Sequence, residues 1–182
     1  MEESSIFIRT FSGIRMDPYN IKPGEVFIED IAHALSMMVR ANGHIKVFYS
    51  IAQHSINCAL EANNRGFQNR VQLACLMHDA AECYIADVPR PVKYRLKGYD
   101  EIERHVTDIV FASFGIDNLT ETELEMVKQI DDAMLYYEFK ALANTRISEV
   151  IPDISMQHDF AQRRIEDVKG HFLSEFRRLH GK

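Results

Sequence analysis

The stretch from Leu73 to Lys93, LACLMHDAAECYIADVPRPVK, decides how the rest of the chain is read. Its first half has the apolar spacing of a buried helix, yet His78 and Asp79 fall in the middle of it. An imidazole and a carboxylate placed in a core need partners, because burying them unpaired is costly. Neighbours on a helix point about 100° apart, so the two side chains straddle one seam. Glu82, four residues after His78, stands one turn further along that seam. Imidazole nitrogen and carboxylate oxygen suit Zn²⁺, Mn²⁺, Fe²⁺ or Co²⁺. A carboxylate one turn away is placed to take a proton from an attacking water.

The rest of the chain sets the bounds. With 182 residues, 46% of them hydrophobic, it is long enough for one domain with a real core. No run of about eighteen apolar residues offers a membrane span, and the opening MEESSIFIRT has no charged-then-apolar leader, so a soluble, cytoplasmic protein is expected. A net charge of −6 argues against nucleic acid as the main partner, but leaves room for an anionic small molecule held by local cations or a metal. Cys58, Cys75 and Cys83 form no C-x-x-C and read as buried free thiols.

Helical periodicity is strong. Gly13, Pro18, Pro23 and Gly24 break the first twenty-seven residues into loop or hairpin, with SIFIRTF as a short strand. Helices are expected over 28–40, 48–63, 68–83, 99–114, 120–144 and 155–179, the fifth opened by a capping box of Thr120 and Glu123. Pro89 and Pro91 predict an extended connection after the third. The expectation is a single all-α domain over residues 1–182, of about six helices, with residues 1–27 contributing to a substrate pocket.

Two ligands do not hold a metal, and two further helices carry matching interruptions. His54 lies in the apolar SIAQHSINCAL, and Asp131 and Asp132 lie in VKQIDDAMLYYE. Singly, each has an ordinary reading: a histidine hydrogen-bonded to backbone, a solvated pair of aspartates. Together they would need four private partners, whereas one metal satisfies them all. Arg90, Lys93 and Lys97 follow the segment and are candidates to grip phosphates, as is Arg15 in the early loop; the alternative is surface solubility. Tyr19 is placed to stack on a base or to pack on the domain. His44, after a glycine stop, is a candidate to support the site; His33 reads as structural, and His105, His158, His171 and His180 as surface residues without a role.

The ordered set QHS (His54), MHDAAE (His78, Asp79, Glu82), ADVPRPVK (from Ala86 to Lys93) and QIDDAMLYYE (Asp131) resembles the HD-domain metal-dependent phosphohydrolases. More narrowly it is similar to the branch of bacterial 5′-deoxynucleotidases and phage-encoded deoxynucleotide triphosphohydrolases. The resemblance runs from about Gly13 to Glu138, about two thirds of the chain. It implies an all-helical fold, a homo-oligomer, and one divalent ion (Zn, Mn, Co, Fe or Mg) held by His54, His78, Asp79 and Asp131. It also implies that Glu82 and Asp87 act around the attacking water. The expected activity is hydrolysis of a dNTP, dATP in the phage-type relatives, releasing triphosphate and deoxynucleoside. The alternatives are a 5′-deoxynucleotidase acting on dNMPs and a nucleotide-binding protein without turnover. Relatives carry an aromatic residue, commonly tryptophan, in the early base-facing loop; here that loop reads GIRMDPYN and the chain has no tryptophan.

Overall fold

The computed structural model describes residues 6–181; MEESS, the start of the segment read as lacking a leader, and Lys182 lie outside them. Six long helices surround one core: α1 (Ile28–Met37), α2 (Ile51–Asn64), α3 (Asn69–Met77), α6 (Tyr99–Ser113), α7 (Glu121–Glu138) and α8 (Ile165–His180). Two single turns, α4 (Glu82–Ile85) and α5 (Arg90–Lys93), join α3 to α6. The all-α expectation holds. The early strand is half of a small antiparallel hairpin, β1 (Ile8–Arg9) with β2 (Arg15–Met16). Buried Asp30 ties it down, accepting from the Ser12 amide (2.6 Å) and hydroxyl (2.7 Å).

Helix α2 is the centre, packed against α1, α3, α7 and α8. It starts where Ser50 caps the amide of Gln53 while the Gln53 side chain reaches back to the Ser50 amide. The main core joins α1, α2, α3, α6 and α8 through residues such as Leu35, Ile51, Leu76, Val106 and Phe172. A smaller cluster of Cys58, Val71, Cys75, Ile130 and Met134 seals α2 and α3 against α7. Among the described residues no helix is long and apolar enough to cross a membrane.

Several boundaries differ from expectation. Helix α1 stops at Met37 rather than Arg40, because Val39 pairs with Ser50 as an isolated bridge and Arg40 N–H bonds Tyr49 O (2.9 Å), turning Arg40 inward. The proline connection is not extended throughout. Pro89 opens the turn of α5, and Pro91 sits within its first turn, where a helix leaves N–H groups unpaired anyway.

The last helix begins at Ile165, not Ser155. Polar side chains of α2 take up the backbone of the preceding segment and hold it as a strap. Glu61 accepts from Ser155 N–H (2.8 Å), Gln53 donates to Ala161 O (3.0 Å) and Asn57 to Asp159 O (3.1 Å). His158, read from sequence as a surface residue, is instead buried in this strap, its Nε2 2.9 Å from Glu61. His180 is half-buried and stacked on Phe176.

Glu61 is fully buried and also accepts from Arg65 (2.7 Å). Burial pushes its carboxyl up, but Arg65, His158 and Ser155 prevail and hold it below the usual carboxylate range. Its stabilisation is therefore present above the ordinary glutamate pKa and is lost as pH falls through the lowered value. Glu61→Ala should cost about 3–5 kcal/mol at neutral pH, read from the urea midpoint with an unchanged slope. A loss under about 1 kcal/mol would show that the strap is held by other contacts.

Candidate metal centre

The HD pair is not in mid-helix. Helix α3 ends at Met77, and His78 is its cap residue. His78 Nδ1–H donates to Cys75 O at 2.8 Å, the carbonyl that lies four residues before Asp79 and would serve its amide in a continuing helix. The next amides bond three residues back instead of four: Ala80 to Met77 (2.9 Å), Glu82 to Asp79 (3.0 Å) and Cys83 to Ala80 (3.4 Å). This tightened path turns His78, Asp79 and Glu82 toward α2 and α7.

His54, fully buried on α2, meets them there. Its Nε2 lies 3.2 Å from His78 Nε2, 3.6 Å from Asp79 Oδ2 and 3.2 Å from Asp131 Oδ1. His78 Nε2 in turn is 3.2 Å from Asp79 Oδ1 and 3.7 Å from Asp131 Oδ1. Asp131 comes from the middle of α7. Both imidazoles direct their Nδ1–H elsewhere, His54 to Glu138 Oε1 (2.7 Å) and His78 to Cys75 O. When neutral, they therefore face the two carboxylates with lone pairs, so four acceptors meet with no donor between them.

The carboxylates show the same demand for positive charge. Burial would lower the pKa of His54 and His78; Glu138 and Asp131 raise the first, and Asp79 and Asp131 push the second well up. Burial would raise Asp79 and Asp131, but the two imidazoles hold both below the usual range. The cluster needs a cation, whether protons on the rings or a metal ion in their place.

Sequence reading missed the residues that brace this cluster. Glu138 is buried, accepts from Tyr49 OH (3.1 Å) as well as His54, and lies 3.4 Å from Arg40. Arg40 also donates to Asp79 Oδ2 at 3.1 Å. Glu138 follows Asp131 by seven residues, two turns along the same face of α7, just before a wide π turn over Phe139–Ala143. Spacing by seven from a candidate ligand was the available signal. His44 supports nothing here; it is exposed beyond the turn.

His54, Cys58 and His78 form a largely buried group whose ligand atoms are close enough together to hold a metal ion. Cys58 Sγ, one turn along α2, lies 3.6 Å from His54 Nε2 and 4.0 Å from Nδ1. Near-equal distances to both nitrogens place the sulfur against the ring rather than on the Nε2 lone pair. Burial first, and then Asp131, push this thiol well above its ordinary pKa.

Glu82 is buried beside the cluster, and its Oε2 has no hydrogen-bond partner among the described residues. Burial, then Asp79 and Asp87, push its carboxyl well above the usual range. Asp87 is half-buried and raised chiefly by burial. It follows Ala86, whose backbone (φ 74°, ψ 153°) is in a region that non-glycine residues rarely adopt, its carbonyl held by Tyr99 OH (2.7 Å).

A cavity of about 990 Å³ opens from His78, Asp79 and Glu82 along α6. Arg90 and Lys93 line it, but both are paired: Arg90 with Asp131 (2.9 Å) and Asp132 (3.1 Å), Lys93 with Glu103. Arg15 and Tyr19 are not brought to it. Arg15 lies over the Phe7 ring, 4.1 Å from its centre. Tyr19 and Lys97 line a separate hollow of about 460 Å³, together with Tyr99.

Over 158 residues, 80% of this chain and 85% of the other, the sequence is 30% identical to Uncharacterized protein YfdR of Escherichia coli K12. The chain belongs to the YfdR family. Over 113 residues, 59% of this chain and 58% of the other, it is 38% identical to an uncharacterized protein of Rhodobacter capsulatus. No protein-family model matches.

Glu138 fixes the tautomer and orientation of His54, so Glu138→Gln should weaken Mn²⁺ or Zn²⁺ binding by roughly ten- to a hundred-fold in titration calorimetry. Unchanged affinity would mean that His54 needs no such brace.

Proposed function

We propose that this protein is a metal-dependent phosphohydrolase of deoxynucleotides, of the HD-domain kind. The observation that carries the reading is the convergence of His54, His78, Asp79 and Asp131 at the inner end of a large cavity, with an unpartnered Glu82 beside them. Donor atoms at about 2.1 Å from one divalent ion lie roughly 3.0–3.5 Å apart. The separations of 3.2–3.7 Å are close to that. These four residues would hold the ion. Two aspartates and two neutral imidazoles leave two negative charges for it to balance. Cys58 is left outside the set because its sulfur lies against the His54 ring, 3.6 Å from Nε2 and 4.0 Å from Nδ1, rather than along the Nε2 lone pair.

A divalent ion held by these residues would supply Lewis acidity toward water and a phosphoryl oxygen. The chain supplies the rest. Glu82, lining the cavity beside His78 and Asp79 with its Oε2 unpartnered among the described residues, is placed to take the proton of the attacking water once a cation there offsets its acidic neighbours. Asp87 stands by as its neighbour. Arg40 and Glu138 hold Asp79 and His54 in place. Arg90 and Lys93 line the same cavity but are held by carboxylates, Arg90 by Asp131 and Asp132 and Lys93 by Glu103. A regulator that binds without turnover has no use for an unpartnered buried carboxylate at the site.

Within the class, the sequence between Gly13 and Ser55 favours a dATP-type triphosphohydrolase releasing triphosphate. A second reading, a 5′-deoxynucleotidase acting on dNMPs, draws on the cavity wall. There Asp100, Glu103, Asp108 and Asp117 outnumber Arg90, Lys93 and Arg104, which opposes a triphosphate more than a monophosphate.

Product chromatography of dNTPs, dNMPs and ribonucleotides incubated with Mn²⁺, Co²⁺, Zn²⁺ or Mg²⁺ tests the proposal. Triphosphate or inorganic phosphate with free nucleoside is expected, and no turnover of any nucleotide refutes it. Asp79→Ala should abolish both metal retention and turnover in a folded protein; stoichiometric metal with normal activity would sink the ligand set. Glu82→Gln should retain metal and lower kcat by roughly a hundred- to ten-thousand-fold with little change in KM. Near-normal kcat would shift the proton-transfer role to Asp87.

A further inference from the structure

One face of α6 runs the length of the large cavity. Asp100, Glu103, Arg104, Thr107, Asp108 and Phe111 recur at three- and four-residue steps and all line it. The N-terminal end of this stripe is the metal end, since Tyr99 OH reaches Ala86 O beside Asp87, and Lys93 Nζ lies 5.4 Å from the Tyr99 ring centre. At 1.5 Å per residue, Arg104 lies about 7.5 Å and Phe111 about 18 Å along the axis from Tyr99.

The wall is graded. His78, Asp79 and Glu82 occupy the metal end; Phe111, Ile116, Leu119 and Leu124 line the far end, with Asp108 and Asp117 among them. Three cations line the cavity, and they are not equivalent. Arg90 is taken by Asp131 and Asp132, and Lys93 by Glu103. Arg104 has neither an ion pair nor a hydrogen bond among the described residues, although Asp100 and Asp108 flank it on its own helix face. An exposed guanidinium presents five N–H donors in a planar fork suited to phosphate oxygens. Cation next to the metal end and apolar surface beyond it is the order of groups in a phosphorylated nucleoside.

We propose that Arg104 is the anchor for the substrate's phosphate in this cavity. The inference rests on the phosphohydrolase reading, and binding separates the two. dAMP and deoxyadenosine are titrated calorimetrically into Mn²⁺-loaded protein carrying Glu82→Gln to suppress turnover, with and without Arg104→Ala. Loss of Arg104 should weaken dAMP by roughly ten- to a hundred-fold and leave deoxyadenosine within about two-fold. Arg104→Lys, which keeps the charge without the fork, should recover part of the affinity. An equal loss for both ligands, no loss for dAMP, or no dAMP binding before substitution each overturns the assignment. Wild-type turnover is measured separately. If dAMP binds with the expected dependence on Arg104 but no nucleotide is hydrolysed, the hydrolase reading falls and the phosphate anchor stands.

Discussion

Four hydrogen-bond acceptors from three helical segments face one another across 3.2–3.7 Å, and the middle of this fold is arranged around that meeting. Neutral imidazoles and ionised carboxylates repel at such range, more strongly in a water-poor core than in solvent. A cation between them turns the repulsion into cohesion. The cluster is thus a joint between α2, the end of α3 and α7. Without a cation the carboxylates of Asp79 and Asp131 would stand uncompensated between these helices.

The surroundings serve the same joint. Arg40 is bound to Asp79 and Glu138, so it fixes a carboxylate on each side of the cluster. Glu138 fixes the His54 ring, and Tyr49 and Asn57 extend the chain of hydrogen bonds to the strap at Asp159. The backbone is bent to suit: α3 breaks at His78, Ala86 takes a rare conformation, and α7 widens just past Glu138. Such departures from regular structure are tolerated where the surroundings over-determine them, and they gather at functional sites.

Much of this is legible in the sequence. Apolar pattern marks the six long helices: α1, α6, α7 and α8 each bury one stripe, α2 and α3 are buried on nearly every side, and the Thr120–Glu123 capping box stands where α7 begins. His54, His78, Asp79 and Asp131 are visible because polar residues interrupt apolar faces. What stays hidden depends on tertiary contact. His78 ends its helix by taking a carbonyl, which periodicity cannot register. The strap over 155–164 is held by α2 side chains far away in sequence, so a plausible helical pattern gives way to extended chain. Arg40 and Glu138 look like surface charges until the fold brings them to the same place. Arg15 and Tyr19, suggestive in the early loop, are folded against other surfaces.

The central claim is that one divalent ion is the shared partner of His54, His78, Asp79 and Asp131. The most direct measurement is a crystal structure of Mn²⁺- or Zn²⁺-loaded protein with anomalous data at the metal edge. A single peak about 2.0–2.2 Å from both Nε2 atoms and from one oxygen of each aspartate is the expected result. A peak bonded to Cys58 Sγ at about 2.3 Å, with the aspartates turned away to Arg40 and Arg90, would contradict it, as would metal bound only elsewhere.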